Sequence, residues 1–490
     1  MGVLSHRGWS SAGFLLLAVA AAGRLNVPAA PLPEARSESR VVSLTLHASV
    51  NAEGRDSFSY EGKNIAPVIR VFPGDTLKIN YKNDLPVHSA ESCAISPCKN
   101  MTNLHFHGLE ISPQFPQDNV IDMMAMPGDT LHYVVKIPAE HPPGLFWYHT
   151  HPHGESHRQA LDGMSGAIVI EGMERYVPEV RKLREQVLVV RGVSIEHSAE
   201  AATLLRRVDA EPPSCASSSG ATERVFTVNG EIRPSIGINP GERQFWRIVN
   251  ASADQYLDLQ LDKQRLEIVA LDGMPLAYHD PQHPVKVVDH ALVPPAGRLE
   301  AIVSGPDAAA HATLRTLCVD TGALGDANPG MVLADLRAGR LAPPPEKKLR
   351  RLAPPEYQSI DLQAYESSEP DFTVVFSEDE KGFYINDRKY EADAAPMTHA
   401  QVGTYQHWRI LNSSAELHPM HIHQAHFLVF AANGKPLENP VWLDTVNVPV
   451  GETVDVIMDF TNPVIRGMSL FHCHLLNHED KGMMAKILFE

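Results

Sequence analysis

The chain is 490 residues long and carries a formal charge of −17, with 59 acidic against 42 basic side chains. That balance offers no electrostatic footprint for DNA, RNA or anionic lipid, so small molecules or metal cations are the expected partners. The length is that of about three ordinary domains.

Residues 1–30 read as a signal peptide. Arg7 precedes an apolar run at 14–22 that is too short to span a bilayer, and small residues follow at Ala20-Ala21-Ala22 and Ala29-Ala30. No Arg-Arg pair stands ahead of the run, which favours general secretion over the twin-arginine route. An exported protein, periplasmic or extracellular and without stable membrane insertion, is expected. Outside the cytosol Cys93, Cys98, Cys215 and Cys318 could form disulfides. Pairing Cys93 with Cys98 and Cys215 with Cys318 would keep each bridge inside one domain; buried free thiols are the alternative.

From residue 41 onward the pattern is that of strands. Period-2 runs such as 131–137, with 38 prolines and 32 glycines, predict sheets and turns rather than helices. A first domain is expected over 41–172. It holds His105-Phe106-His107-Gly108, then Asp118, then Met123, Met124 and Met126, then Trp147-Tyr148-His149-Thr150-His151, with His153 and His157 just beyond. On a strand an i, i+2 pair presents both imidazoles to one face. The methionines read as packing rather than as soft ligands, and His153 and His157 as surface or supporting residues.

A second domain, 185–340, has a small-residue loop at 214–221 and lacks a His-x-His pair, so a spacer is expected. A ten-residue unit ties the domains together. Residues 241–250 (GERQFWRIVN) and 403–412 (GTYQHWRILN) agree at Gly, Gln, Trp, Arg, Ile and Asn, while 74–83 (GDTLKINYKN) keep the terminal Gly and Asn and the alternating apolar phase. The spacings of 167 and 162 residues suit a β-sandwich with a long loop, repeated three times. Three sequons, at Asn100, Asn250 and Asn412, are of a kind that arises by chance. Residues 341–355, with five prolines and a basic cluster at Lys347, Lys348, Arg350 and Arg351, read as a stiff exposed linker.

The third domain, 356–490, carries the chemistry. His418-Pro419-Met420-His421-Ile422-His423 supplies a third pair and an offset histidine. Residues 471–483 (FHCHLLNHEDKGM) then set His472, Cys473, His474, His478 and Met483 on one loop. A cysteine, two histidines and a weak axial methionine make a His₂Cys-plus-Met copper site. His472 and His474 point away from Cys473, so one tripeptide can join two centres. Zinc needs neither eight paired imidazoles nor a long thioether bond.

At these motifs the chain resembles the multicopper oxidases, the laccase and bacterial cuproxidase family, in the family's order and from about residue 41 to 490. The resemblance implies three cupredoxin-like Greek-key β-sandwiches, an all-β fold, and four coppers. It assigns His418, Cys473, His478 and Met483 to a type 1 copper, with Met484 as the next axial candidate. His105 and His421 would hold a type 2 copper, and His107, His149, His151, His423, His472 and His474 a type 3 pair. The implied reaction oxidises four one-electron donors in turn and reduces dioxygen to water. Protons would come through Glu479 and Asp118, which otherwise read as turn or cap carboxylates; the offset of Asp118 from His107 is about two residues longer than in cuproxidase relatives.

A methionine axial ligand implies a low-to-middle potential, suited to phenols, diamines or metal ions. Residues 372–417 contain only Met397, so no methionine-rich lid is present and an open type 1 site with an exposed edge on His418 or His478 is expected. A laccase-like monomer is the first expectation and a cuprous or ferrous oxidase the second. An envelope-assembly binding protein on the same fold would have lost ligands that this chain keeps, and a nitrite reductase would not need four His-x-His pairs.

Overall fold

The computed structural model describes residues 31–87, 98–194, 224–306, 312–338, 350, 352–355, 357–366 and 368–490. The expected leader, Cys93, Cys215, the 214–221 loop, Lys347, Lys348 and Arg351 lie outside these residues. Cys98 and Cys318 are each disulfide-bonded, while Cys473 is a buried free thiol.

Six sheets pair into three sandwiches. In the first, a five-stranded sheet that includes Val68–Val71, Ser165–Ile170, Gly144–His149 and His105–His107 faces a four-stranded sheet that includes Val41–Val50, Thr76–Asn83 and Thr130–Lys136. Alternation drives this: along Thr76–Asn83 every second side chain is buried, so Leu77, Ile79 and Tyr81 meet Val42, Leu46, Phe106 and Tyr148 between the sheets. The second and third sandwiches are built from strands within 184–337 and 372–489. The all-β, three-sandwich cupredoxin architecture is therefore present.

The ten-residue unit proves to be a turn-and-strand brace used three times. Gly74, Gly241 and Gly403 each sit at positive φ (83°, 69° and 96°), which a glycine adopts without strain. At the other end of the strand an asparagine side chain closes the following turn. Asn83 Nδ2 donates to the carbonyls of Asn100 and Ala125, Asn250 Nδ2 to Gln255 and Val293, and Asn412 Nδ2 to Glu416 and Val448. Each Oδ1 accepts the N–H two residues on, at 3.1, 3.2 and 2.9 Å. In the last two copies the tryptophan Nε1 donates to the glutamine two residues earlier.

Apolar contacts join the sandwiches pairwise and once all together. Leu145 and Trp147 pack on Val189, Val249 and Ala296, Met274 packs on Leu428 and Trp442, and Ala160, Ala253 and Leu476 meet at a three-way junction. One described residue of the linker, Arg350, is held against the first sandwich. Arg350 ion-pairs with the buried carboxylate of Asp75 and lies 4.4 Å from the Phe72 ring centre.

Candidate metal centre

Strand register assembles the site. In the first sandwich His105 stands opposite His149 and His107 opposite Trp147; in the third, His421 stands opposite both His472 and Thr445, and Met420 opposite Cys473. Pleating then sends His472 of Gly467–Cys473, and His474 just beyond it, toward the first sandwich and Cys473 into the core of the third. One strand thus serves two pockets on its opposite faces.

On the histidine face, eight imidazoles from two sandwiches converge, all buried. The rings of His105 and His423 stack at 3.7 Å and those of His107 and His421 at 3.8 Å. His472 Nε2 lies 3.3 Å from His151 Nε2 and 3.2 Å from His423 Nε2. Two nitrogens each about 2.0 Å from one ion at a tetrahedral angle would be about 3.3 Å apart, so the spacing suits a shared metal.

Most of these rings have one nitrogen anchored and the other turned inward. Nδ1 of His105 is held by Asp118 at 3.0 Å, of His149 by the Thr150 carbonyl at 2.9 Å, of His421 by the Asp444 carbonyl at 2.8 Å and of His472 by the Cys473 carbonyl at 2.9 Å. His107 is held the other way round, by Nε2 on Asp444 Oδ1 at 3.1 Å. The opposite nitrogens of His105, His107, His149 and His421 are buried with no hydrogen-bond partner, as are both of His474. Unsatisfied buried acceptors are costly unless something binds them, and neutral imidazoles with an outer anchor are the form that ligates metals. Burial pushes these histidines down, His149 to about 3 and His472 to about 4, which keeps them neutral.

On the other face Cys473 Sγ lies 3.4 Å from His418 Nδ1 and 3.9 Å from His478 Nδ1, and accepts the N–H of Leu475 at 3.5 Å. Met483 packs in the same apolar cluster as Cys473, whereas Met484 packs with Val120 and Leu470. Burial pushes the Cys473 thiol well above its ordinary value, so ionising it requires a compensating cation.

Three multicopper oxidase family models match the chain, at residues 45–175, 146–309 and 354–490. The chain belongs to the multicopper oxidase family. A multicopper oxidase from Staphylococcus aureus is 24% identical over 88% of this chain and 83% of its own length, and a laccase from Haloferax volcanii 27% identical over 79% and 67%. Among solved structures, a metallo-oxidase from Campylobacter jejuni superposes with a TM-score of 0.69 at 23% identity, covering 95% of this chain and 98% of that one. As a multicopper oxidase the protein is an oxidoreductase that takes electrons from a donor and passes them to dioxygen.

Both proton candidates lie against the histidine face of this multicopper oxidase. Glu479 is fully buried, with Oε2 at 3.2 Å from His472 Nδ1 and Oε1 at 3.6 Å from His151 Nδ1. Burial, reinforced by Asp480, raises its carboxyl well above the usual range. Asp118 accepts from Phe106 N at 3.0 Å and Gln424 Nε2 at 2.6 Å; burial raises it to about 8 against those two bonds.

Two expectations are corrected. The type 1 candidates are not open: His418 is 0% and His478 6% exposed, because Ser414 Oγ meets His418 Nε2 at 2.7 Å, Glu416 meets His478 Nε2 at 3.2 Å, and Phe383 stacks on the His478 ring. Nor is the middle sandwich only a spacer. Among the described residues it lends the site no histidine, but its Arg298 is fully buried and spends all five N–H donors at the cluster's edge. They go to the Leu145, Ala296 and Asp272 carbonyls and, bidentately, to Asp444, the carboxylate that orients His107.

Gly108 has its reason here: a Cβ on it would come within 2.4 Å of both Arg298 and Asp444. Sequence reading passed over Arg298, Asp444 and Glu416 because nothing local marks a lone charge in a strand as a ligand's partner. The Gly of His105-x-His-Gly was the one available hint that something must approach closely.

His157 and Met123 sit where the supporting roles expected of them would place them, while Met124 and Met126 are half-buried. His157 Nε2 pairs with Asp254 at 2.8 Å, and Met123 is buried in the first core. His153 packs edge-on to Tyr390 at 4.8 Å.

Proposed function

We propose that the protein is a laccase-like oxidase with four coppers per chain, held by the ligands assigned above: His418, Cys473, His478 and Met483 at type 1, His105 and His421 at type 2, and the six remaining histidines as the type 3 pair. The observation that carries this is the set of inward, partnerless nitrogens of His105, His107, His149, His421 and His474 facing one enclosure from two sandwiches. Bound copper supplies one-electron redox chemistry at both faces. The chain's own part is to hold the two faces a peptide bond apart, since Cys473 is bonded directly to His472 and His474.

Glu479 holds a proton at neutral pH and presents it beside His151 and His472, where dioxygen reduction consumes protons. Asp118 fixes the ring of His105 and is a second acid at the same enclosure. The donor is a small phenol or aromatic amine; cuprous or ferrous ion is the alternative, and an iron transport multicopper oxidase from Gibberella zeae is among the relatives. The protein acts outside the cytosol; no helix among the described residues is long and apolar enough to cross a membrane.

Copper analysis with side-by-side oxygen uptake on a phenol, a diamine, ferrous and cuprous ions tests the proposal. The expected result is about four coppers, an intense red absorption from the thiolate and a near-ultraviolet shoulder from the coupled pair. Zinc alone, or one copper without a coupled pair, overturns it.

A further inference from the structure

The two type 1 histidines are covered by elements from two sandwiches. The hairpin of Phe372–Asp379 and Gly382–Ile385, in which Glu378 stands opposite Phe383, folds over the Cys473 loop from the third sandwich. Phe383 lies flat on His478, ring centres 3.9 Å apart and planes at 15°, with Lys481 Nζ 5.6 Å from its centre. From the second sandwich, the 321–324 segment clasps the turn that carries Glu416: Leu417 N donates to the Thr321 carbonyl at 2.9 Å and Leu324 N to that of Ala415 at 3.3 Å. Glu378 takes the N–H of Ala415 at 3.1 Å, so hairpin and turn are tied to each other.

We infer, resting on the type 1 assignment above, that Phe383 sets the size of donor this oxidase accepts, excluding phenols with bulky groups on both sides of the hydroxyl in favour of narrow ones. Electron tunnelling weakens exponentially with the gap, so a donor gains most by touching the imidazole. The Nε2 edge of His478 is taken by Glu416 and one face by Phe383; His418 has no free edge. A donor stacked outside Phe383 stands one ring thickness, about 3.5 Å, further away. A narrow phenol or diamine needs only the small part of His478 that stays exposed. A phenol with groups flanking its hydroxyl must first lift the hairpin, which is tied down through Glu378.

Phe383 is only partly buried and packs on the rim of the third core, so removing it leaves the sandwich standing. The test compares the wild type with Phe383→Ala and Phe383→Leu, using catechol, a phenol with methoxy groups on both sides of its hydroxyl, and hexacyanoferrate(II) as an outer-sphere donor. The expected result in Phe383→Ala is a rise of about tenfold in kcat/KM for the flanked phenol, expressed in KM, with a much smaller change for catechol and Phe383→Leu between wild type and Phe383→Ala. Phe383→Trp, which keeps the cover, should retain the wild-type ratio. The type 1 potential and the hexacyanoferrate rate are followed in parallel. An equal change for all three donors, tracking potential, would mean that Phe383 tunes the copper and not access, and would overturn the inference, as would an unchanged ratio in Phe383→Ala and Phe383→Leu. Absence of the red absorption in the wild type would instead overturn the type 1 assignment itself.

Discussion

The two faces of the strand Gly467–Cys473 are built on opposite plans. The Cys473 face draws its four candidate ligands from one sandwich and seats them in an apolar core that is mostly that sandwich's, with Tyr256 and Val319 added from the second. The histidine face has no owner: its imidazoles come from the first and third sandwiches, and Arg298 of the second braces them through Asp444. The ligands of the first pocket are all in place when one domain folds, and those of the second only when two have docked, so folding and metal binding should be linked more tightly on the histidine side.

The sharpest way to break this contrast is Cys473→Ser. It should abolish the red absorption and donor oxidation while the histidine face still takes up about three coppers. Loss of copper from both faces would show that they are not separable. Glu479→Gln comes next. Because the native carboxyl is raised by burial and holds its proton, glutamine imitates that state, and copper loading should survive. Turnover should fall by about a hundredfold, most at neutral and alkaline pH where protons are scarce. Reoxidation of the fully reduced mutant at the wild-type rate would move the relay to Asp118.

Arg298→Gln is the test of the bracing domain. It removes the bidentate clamp on Asp444, and copper affinity at the histidine face should drop by about tenfold to a hundredfold in a chelator titration. The type 1 absorption should be unmoved; if it falls in step, Arg298 is a folding residue and the contrast weakens.

His157→Gln gives the smallest effect. Burial alone would lower the His157 pKa, but Asp254 raises it above its ordinary value of 6.5. A raised pKa stabilises the fold fully below that ordinary value and loses its contribution as pH rises through the folded one. The pair ties the helix Ser156–Asp162 to the second sandwich, beside the third sandwich's loop, where Asp254 also accepts the Asn477 N–H. The wild-type Tm should therefore decline across mildly alkaline pH and that of the mutant should not; parallel curves would show that His157 stays neutral.

Much of this was legible in the sequence for a physical reason. Ligand pairs at i, i+2 on strands are a local signature, and so is an alternating apolar phase with Gly and Asn at its ends. What stayed hidden depends on contacts far apart in the chain. Arg298 meets Asp444, Glu416 meets His478, and Phe383 covers a histidine that follows it by nearly a hundred residues. No periodicity announces such meetings. The open type 1 site was inferred from missing methionines, yet an aromatic and a carboxylate cover it as well.

The sequon asparagines carry one more consequence. Asn100, Asn250 and Asn412 are all buried, and each side-chain amide donates to backbone carbonyls, Asn100 to that of Pro86. A sugar attached to that nitrogen would take away donated hydrogen bonds and add bulk where there is no room. Hosts that glycosylate a chain as it emerges, before it folds, would thus mark the turns that each sandwich needs to close. A yeast or mammalian secretion system is accordingly a poor factory for this enzyme, whereas a bacterial one leaves those amides free to fold.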